Sequence, residues 1–239
     1  MNAIEIKHLN VSYYDHLVLN DINLNIPKGV MCAISGPNGA GKTTLVKSIL
    51  NFIPHLTGSI KVNGKDLKKE IDNISYVPQK ESVNWQFPTT VSDVVLMGTY
   101  RELGWFKRPG KTQKDKANQA MKQLGILDLA NKEIASLSGG QQQRVFLARM
   151  LCQDADIIFL DEPLVGIDKK SEQIIMNILN QLKEEGKTII VVHHDLATIE
   201  KYFDYLVLVN HKIVTSGYVK DIFTPDNINQ AYGEFNGDL

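Results

Sequence analysis

The chain opens on short alternating stretches. IEIKHLNVSY and LVLNDINLNI carry apolar residues at nearly every second position, and Pro27-Lys28-Gly29 closes the second stretch as a turn. Period-two patterning bounded by turn residues predicts antiparallel strands. VMCAIS (30–35) is different in kind. It is almost continuously apolar, as a strand covered on both faces has to be. It runs into GPNGAGKT (36–43), after which Leu45, Ile49 and Leu50 mark one side of a helix over 41–50. SIKVNG (59–64) and ISYVPQ (74–79) read as further strands.

From about Thr90 the period lengthens from 2 to 3.6. VSDVVLMG (91–98), KTQKDKANQAMKQLG (111–125) and GGQQQRVFLARMLC (139–152) predict three helices. Strand alternation then returns: DIIFL (156–160), a helix over 171–185 ended by Gly186, TIIVV (188–192), a short helix over 196–202, and the strands YLVLVN and KIVTSG. The whole is a single domain over 1–239. It has an α/β core at 1–87 and 156–224, an all-α subdomain inserted at 88–155, and a short polar tail at 225–239.

Composition narrows the possibilities. The 26 Lys and Arg nearly balance the 27 Asp and Glu, and the isoelectric point is about 6.6, which argues against a general nucleic-acid binder. Mean hydropathy is −0.16, and no apolar run reaches the roughly 18 residues a membrane span needs. MNAIEIKHLN lacks the apolar core of a signal peptide, so a cytoplasmic protein is expected. Cys32 and Cys152 lie far apart in apolar surroundings, which argues against a disulfide framework or a Cys-based zinc site.

Gly36-Pro37-Asn38-Gly39-Ala40-Gly41-Lys42-Thr43, followed by Thr44, matches G-x-x-x-x-G-K-[ST] in full. A loop of this kind turns backbone N–H groups inward around phosphate oxygens, and the helix that follows adds its positive end. Lys42 brings a full charge to the β- and γ-phosphates, and the Thr43 hydroxyl suits Mg²⁺. A glycine-rich turn with no ligand would explain one glycine, but not the whole pattern between a buried strand and a helix.

IIFLDE (157–162) ends an apolar strand in two carboxylates, which delivers them to the carboxyl edge of the sheet, where α/β proteins bind ligands. Successive side chains point oppositely, so the two cannot share one task. Asp161 is assigned to Mg²⁺, and Glu162 to the attacking water as general base or positioner. Leu137-Ser138-Gly139-Gly140-Gln141 opens a helix with a hydroxyl, two small residues and free N–H groups, a second phosphate-ready device. One nucleotide does not need two such cradles from one subunit.

LSGGQ, with the phosphate loop upstream and LDEP about twenty residues downstream, closely resembles the ATP-binding-cassette (ABC) ATPases over nearly the whole chain. The resemblance implies the ABC ATPase fold, a P-loop NTPase (RecA-like) core with an N-terminal antiparallel β subdomain and the inserted all-α subdomain. It implies ATP and Mg²⁺ as ligands. It also implies an adenine-stacking role for Tyr13, with Tyr14 as the register alternative, and a Mg²⁺-touching, subdomain-joining role for Gln79 in YVPQ. Asp168 in Gly166-Ile167-Asp168 matches the loop that bridges two subunits, although the family's usual Ala-Leu-Asp is replaced. His194 in VVHHDL matches the switch histidine that senses the γ-phosphate. The rival reading, a metal site of His193, His194 and Asp195, is disfavoured because adjacent side chains at a strand end diverge.

In the family, ATP lies between the phosphate loop of one subunit and LSGGQ of the other, which implies a head-to-tail homodimer. Trp85, Phe87, Trp105 and Phe106 crowd around the first inserted helix, suggesting a groove for an integral-membrane permease, with core packing as the competing explanation. Lys107, Arg108 and Lys111 read as a solvated basic face. WQFPTTVSDVVLMG, EPLVGID and VVHHDL together resemble the ATPase subunits of bacterial manganese, zinc or iron importers, manganese first. Such subunits sit on the cytoplasmic face of the membrane and serve an extracellular metal-binding lipoprotein only indirectly. A non-transport ABC ATPase with soluble partners, such as the Fe–S assembly type, is the alternative. DNA repair or translation ATPases would carry coiled-coil insertions or two cassettes, and no nucleic-acid partner is expected.

Overall fold

The computed structural model describes residues 1–14, 16–103 and 107–233. The two opening stretches form strands β1 (Asn2–Tyr13) and β2 (His16–Pro27), an antiparallel hairpin. With β4 (Thr57–Val62) and β5 (Lys65–Asp66) they make a four-stranded antiparallel sheet in the order β2-β1-β4-β5.

The apolar runs build the second sheet. β3 (Met31–Ser35), β6 (Ile74–Val77), β7 (Ile157–Asp161), β8 (Thr188–Val192), β9 (Tyr205–Asn210) and β10 (Lys212–Tyr218) lie in the order β10-β9-β3-β8-β7-β6. All neighbours are parallel except β9 and β10. Period two sorts the side chains of this sheet onto two cores. Met31, Ala33, Ile158, Leu160, Ile189 and Val191 face the helical side. Cys32, Ile34, Ile157, Phe159, Ile190 and Val192 face the antiparallel sheet and helix α1 (Lys42–Ile49).

Three longer helices form the insertion: α2 (Val91–Met97), α3 (Lys111–Gln123) and α4 (Gly139–Gln153). Thr90 caps α2 through a capping box with Asp93. α4 is its centre, with Val145, Phe146, Leu147, Ala148, Met150 and Cys152 all buried. Its end is tied to the core by Gln153, which accepts from the Ser75 hydroxyl at 2.8 Å and donates to the Ile74 carbonyl at 2.9 Å. α5 (Lys169–Glu184) follows β7 and buries Ile175, Met176 and Leu179.

The segment read as a polar tail begins with a further helix, α6 (Pro225–Tyr232), whose Ile228 and Ala231 are buried. Thr224 caps it, and Pro225 occupies its first turn, where a missing N–H costs nothing. Asn210 donates to the Ala231 carbonyl at 3.0 Å, and Tyr232 Oη lies 2.9 Å from Ser35 Oγ, so the helix is fastened beneath the strand that leads to the phosphate loop. Two buried apolar residues in eight are too weak a pattern to announce it. No helix among the described residues is long and apolar enough to cross a membrane.

Candidate nucleotide site

Loop 36–43 leaves the carboxyl end of β3, where β8 and β9 flank it on opposite sides, and runs into α1. This is the place in an open parallel sheet where a crevice forms. Gly39 and Gly41 have φ of 80° and 93°, in the left-handed region that favours glycine. At Gly41 a Cβ would also stand 2.6 Å from Leu19 Cδ2 of β2, so a larger residue would have to displace that side chain. Lys42 folds back over the loop and donates to the carbonyls of Gly36 and Pro37, each at 2.8 Å. Burial pushes its ammonium pKa down, while Glu162 and Asp161 pull the other way.

Thr43 and Asp161 meet across the site, with the hydroxyl donating to the carboxylate at 3.3 Å. Asp161 is buried and makes no ion pair among the described residues. Desolvation raises its pKa, and Tyr76 Oη stands 3.5 Å from its other oxygen. A buried carboxylate without an ion pair, beside a hydroxyl, is a hard-oxygen pair that suits Mg²⁺.

Glu162 is one residue further on but does something different. Its φ of 51° takes it out of the strand into the left-handed region, rare for a residue with a side chain. Its carboxylate accepts from Gln79 Nε2 at 2.9 Å. Its backbone N–H donates to the Val192 carbonyl at 3.2 Å, which holds it beside the end of β8. His194 sits at that end, exposed. Lys42, Thr43, Asp161, Glu162, Gln79 and His194 therefore line one edge of the sheet.

Six expected residues, in three places, lie elsewhere. Tyr13 is half-exposed at the tip of the β1–β2 hairpin, opposite His16, and β2 passes the loop at Leu19. Ser138 caps α4 through a reciprocal pair with Gln141, and Gly139 and Gly140 neighbour Lys80, Ile167, Asp168 and Ser171 rather than loop 36–43. Asp168 caps α5, accepting from Ser171 N at 3.0 Å and Ser171 Oγ at 2.7 Å, and these bonds lower its pKa.

Sequence reasoning missed Lys80, whose side chain lies over Gly139, and Tyr76 beside Asp161. Lys80 belongs to no motif and directly follows Gln79, whereas Tyr76 stands in YVPQ itself and is brought to the end of β7 by the register of β6 against β7. Trp85 is half-buried, donates from Nε1 to the Lys80 carbonyl at 2.8 Å, and packs edge-to-face on Phe146 with centroids 5.1 Å apart. Phe87 is exposed. Trp105 and Phe106 lie outside the described residues. A groove of about 270 Å³ runs past Val83, Trp85, Phe87, Val94, Phe146 and Arg149. No group of three or more His, Cys, Asp or Glu suited to a metal ion occurs among the described residues, and both cysteines are free and buried.

A parallel sheet with a phosphate loop at its strand-order reversal, two divided carboxylates and an inserted helical unit define a P-loop nucleoside triphosphatase of the cassette type. A family model described as ABC transporter matches residues 19–165, and the chain belongs to the ABC transporter family as an ATP-hydrolysing, ATP-binding subunit. Its relatives include the manganese transport system ATP-binding protein MntB of Bacillus subtilis, 48% identical over 98% of this chain and 93% of that protein. The zinc transport system ATP-binding protein TroB of Treponema pallidum is also 48% identical, over 97% of this chain and 87% of that protein. Among solved structures, cbiO1 from Clostridium perfringens, part of the ABC transporter complex cbiONQ, matches with TM-score 0.79 and 28% identity over 95% of this chain and 92% of that one. A nucleotide-free ATP-binding cassette from an ABC transporter matches with TM-score 0.83 over 98% and 100% of the two chains, and at 23% identity it supports the fold alone.

Proposed function

We propose that this chain hydrolyses MgATP to drive a membrane permease that takes up a transition-metal ion, manganese first and zinc second. The observation that carries the hydrolytic reading is the division of labour at the end of β7. Asp161 points to Thr43, while Glu162 leaves the strand and meets Gln79.

Thr43 and Asp161 would hold Mg²⁺, which supplies charge neutralisation for the β- and γ-phosphates when bound. Lys42 exchanges its two carbonyl partners for phosphate oxygens. Glu162 accepts a proton from the attacking water or orients it, with Gln79 steadying the carboxylate, and His194 contacts the γ-phosphate from the β8 end. Tyr13 stacks on the base. Ser138, Gly139, Gly140 and Gln141 serve the nucleotide of a second copy, with Asp168 at the joint, so the working unit is a homodimer with two shared sites. The placement of 138–141 against Lys80 and Asp168, away from loop 36–43, supports this.

The cargo assignment rests on the names of the relatives, ATP-binding proteins of manganese and zinc transport systems that this chain matches over most of their length. No residue here is expected to ligate the ion. The aromatic groove beside α2 and α4 is the docking site for the permease on the cytoplasmic face of the membrane. An extracellular metal-binding lipoprotein acts on this subunit only through the permease. The deciding measurement is ATPase activity of the reconstituted permease complex titrated with manganese-loaded and zinc-loaded binding protein. Stimulation by one of them supports the reading. Full activity with soluble partners, and none with the permease, overturns it.

A further inference from the structure

After β8 the chain makes a tight turn that carries two histidines in opposite environments. His194 is exposed, whereas His193 is buried. The His193 backbone N–H donates to the Ile34 carbonyl at 3.0 Å, which anchors it to β3 just before the phosphate loop. Its ring packs on Phe203 with centroids 5.1 Å apart, and its Nε2 lies 2.7 Å from Thr198 Oγ1.

The direction of that last bond follows from counting hydrogens. The Thr198 hydroxyl has one hydrogen and three polar neighbours: His193 Nε2, the Asp195 carbonyl at 3.1 Å and Asp195 Oδ2 at 3.2 Å. Both Asp195 atoms can only accept, so all three contacts are met when the Thr198 hydrogen turns to them and its oxygen accepts from His193 Nε2. Asp195 in turn accepts from the Ala197 N–H through its other oxygen at 3.1 Å. The chain of bonds runs one way, from the buried ring through Thr198 to Asp195, and closes the segment 194–198 on itself.

We infer that His193 is a positioning residue for His194, a neutral imidazole carrying its hydrogen on Nε2 that fixes the turn through Thr198. This rests on His194 being the γ-phosphate contact. Burial pushes the His193 pKa down to about 4, against Asp195 and Glu172, which favour its charged form, and with His194, which disfavours it. Glu172 is itself engaged by the Tyr202 hydroxyl at 2.8 Å. The ring therefore keeps one protonation state across the neutral range, as a fixed strut has to.

The test is MgATP turnover by the permease complex carrying variants of the full chain. His193→Phe keeps the packing against Phe203 but removes the donor, and kcat should fall about 10-fold with KM for ATP unchanged, within the range a small misplacement costs. His193→Gln, with an N–H donor at similar reach, should restore most of it. His193→Phe added to His194→Ala should cost nothing further, because the strut then has nothing to position. The ¹⁵N signals of His193 should show Nε2 protonated and Nδ1 bare. Wild-type kcat in His193→Phe, multiplicative losses in the double variant, or a hydrogen on Nδ1 overturns the inference. If His194→Ala alone keeps wild-type turnover, the γ-phosphate reading fails as well, which separates the two failures.

Discussion

At the scale of single residues, the chemistry turns on where two adjacent carboxylates are sent. Asp161 ends β7 in regular geometry, and Glu162 adopts a φ of 51° that turns its side chain toward Gln79. Replacing Glu162 by Gln keeps the shape and the Gln79 contact but removes the proposed base. Hydrolysis should fall by roughly 10²–10⁴-fold while equilibrium ATP binding is kept, as measured by phosphate release and nucleotide titration.

Two buried groups contribute to the acid response. Glu70 is held down to about 2 by Asn63, Asn73 and Lys65, with oxygen contacts of 2.9, 3.0 and 2.6 Å. Its folded pKa lies below the usual 4.5, so its contribution is present above that pH and is lost as pH falls toward 2. His193, depressed from 6.5 to about 4, contributes above 6.5 and loses that contribution as pH falls through 4. Melting temperature should therefore decline in two successive stages on acidification. His193→Gln should remove the upper one and Glu70→Gln the lower one.

At the scale of elements, the insertion depends on close packing between α2 and α4. A Cβ at Gly98, just past α2, would run into the Arg149 carbonyl and approach Cys152 Cβ to 2.8 Å. Gly98→Ala should destabilise the protein by about 1–3 kcal/mol in denaturant unfolding, the usual cost of overpacking, because backbone leaves no room to yield. The phosphate loop, on another element, should keep its affinity for nucleotide. These elements were readable because their patterns are local. α4 announces itself by a Ser start and a long apolar face, and β3 by five successive buried residues. α6 was not readable, since its eight residues bury only Ile228 and Ala231 against a sheet edge whose position no local pattern reveals.

At the scale of the whole molecule, the decisive feature is that 138–141 and 36–43 belong to one chain without forming one site. In the proposed homodimer a second copy supplies the missing half. The Glu162→Gln protein should therefore dimerise on addition of MgATP, shifting in light scattering from the 26.8 kDa monomer to twice that mass. A cysteine at Ser138 should crosslink to one near loop 36–43 of the other copy only when nucleotide is present. Removing 225–239 should lower stability measurably, because it uncovers the Ile228 and Ala231 contacts and removes the Tyr232 partner of Ser35.

By itself the sequence determined the phosphate loop, the paired carboxylates at a strand end, the capped helix start at Ser138 and the alternation that builds an α/β core. Each is a pattern within a few residues, and backbone geometry converts such a pattern directly into local structure. Tertiary structure alone decided that Gln79 meets Glu162 across 83 positions, that Thr43 meets Asp161 across 118, and that Ser35 meets Tyr232 across 197. Those pairings depend on the order of strands in the sheet. Strand order is fixed by how all the apolar faces can be buried at once, a condition that no single stretch of the chain contains.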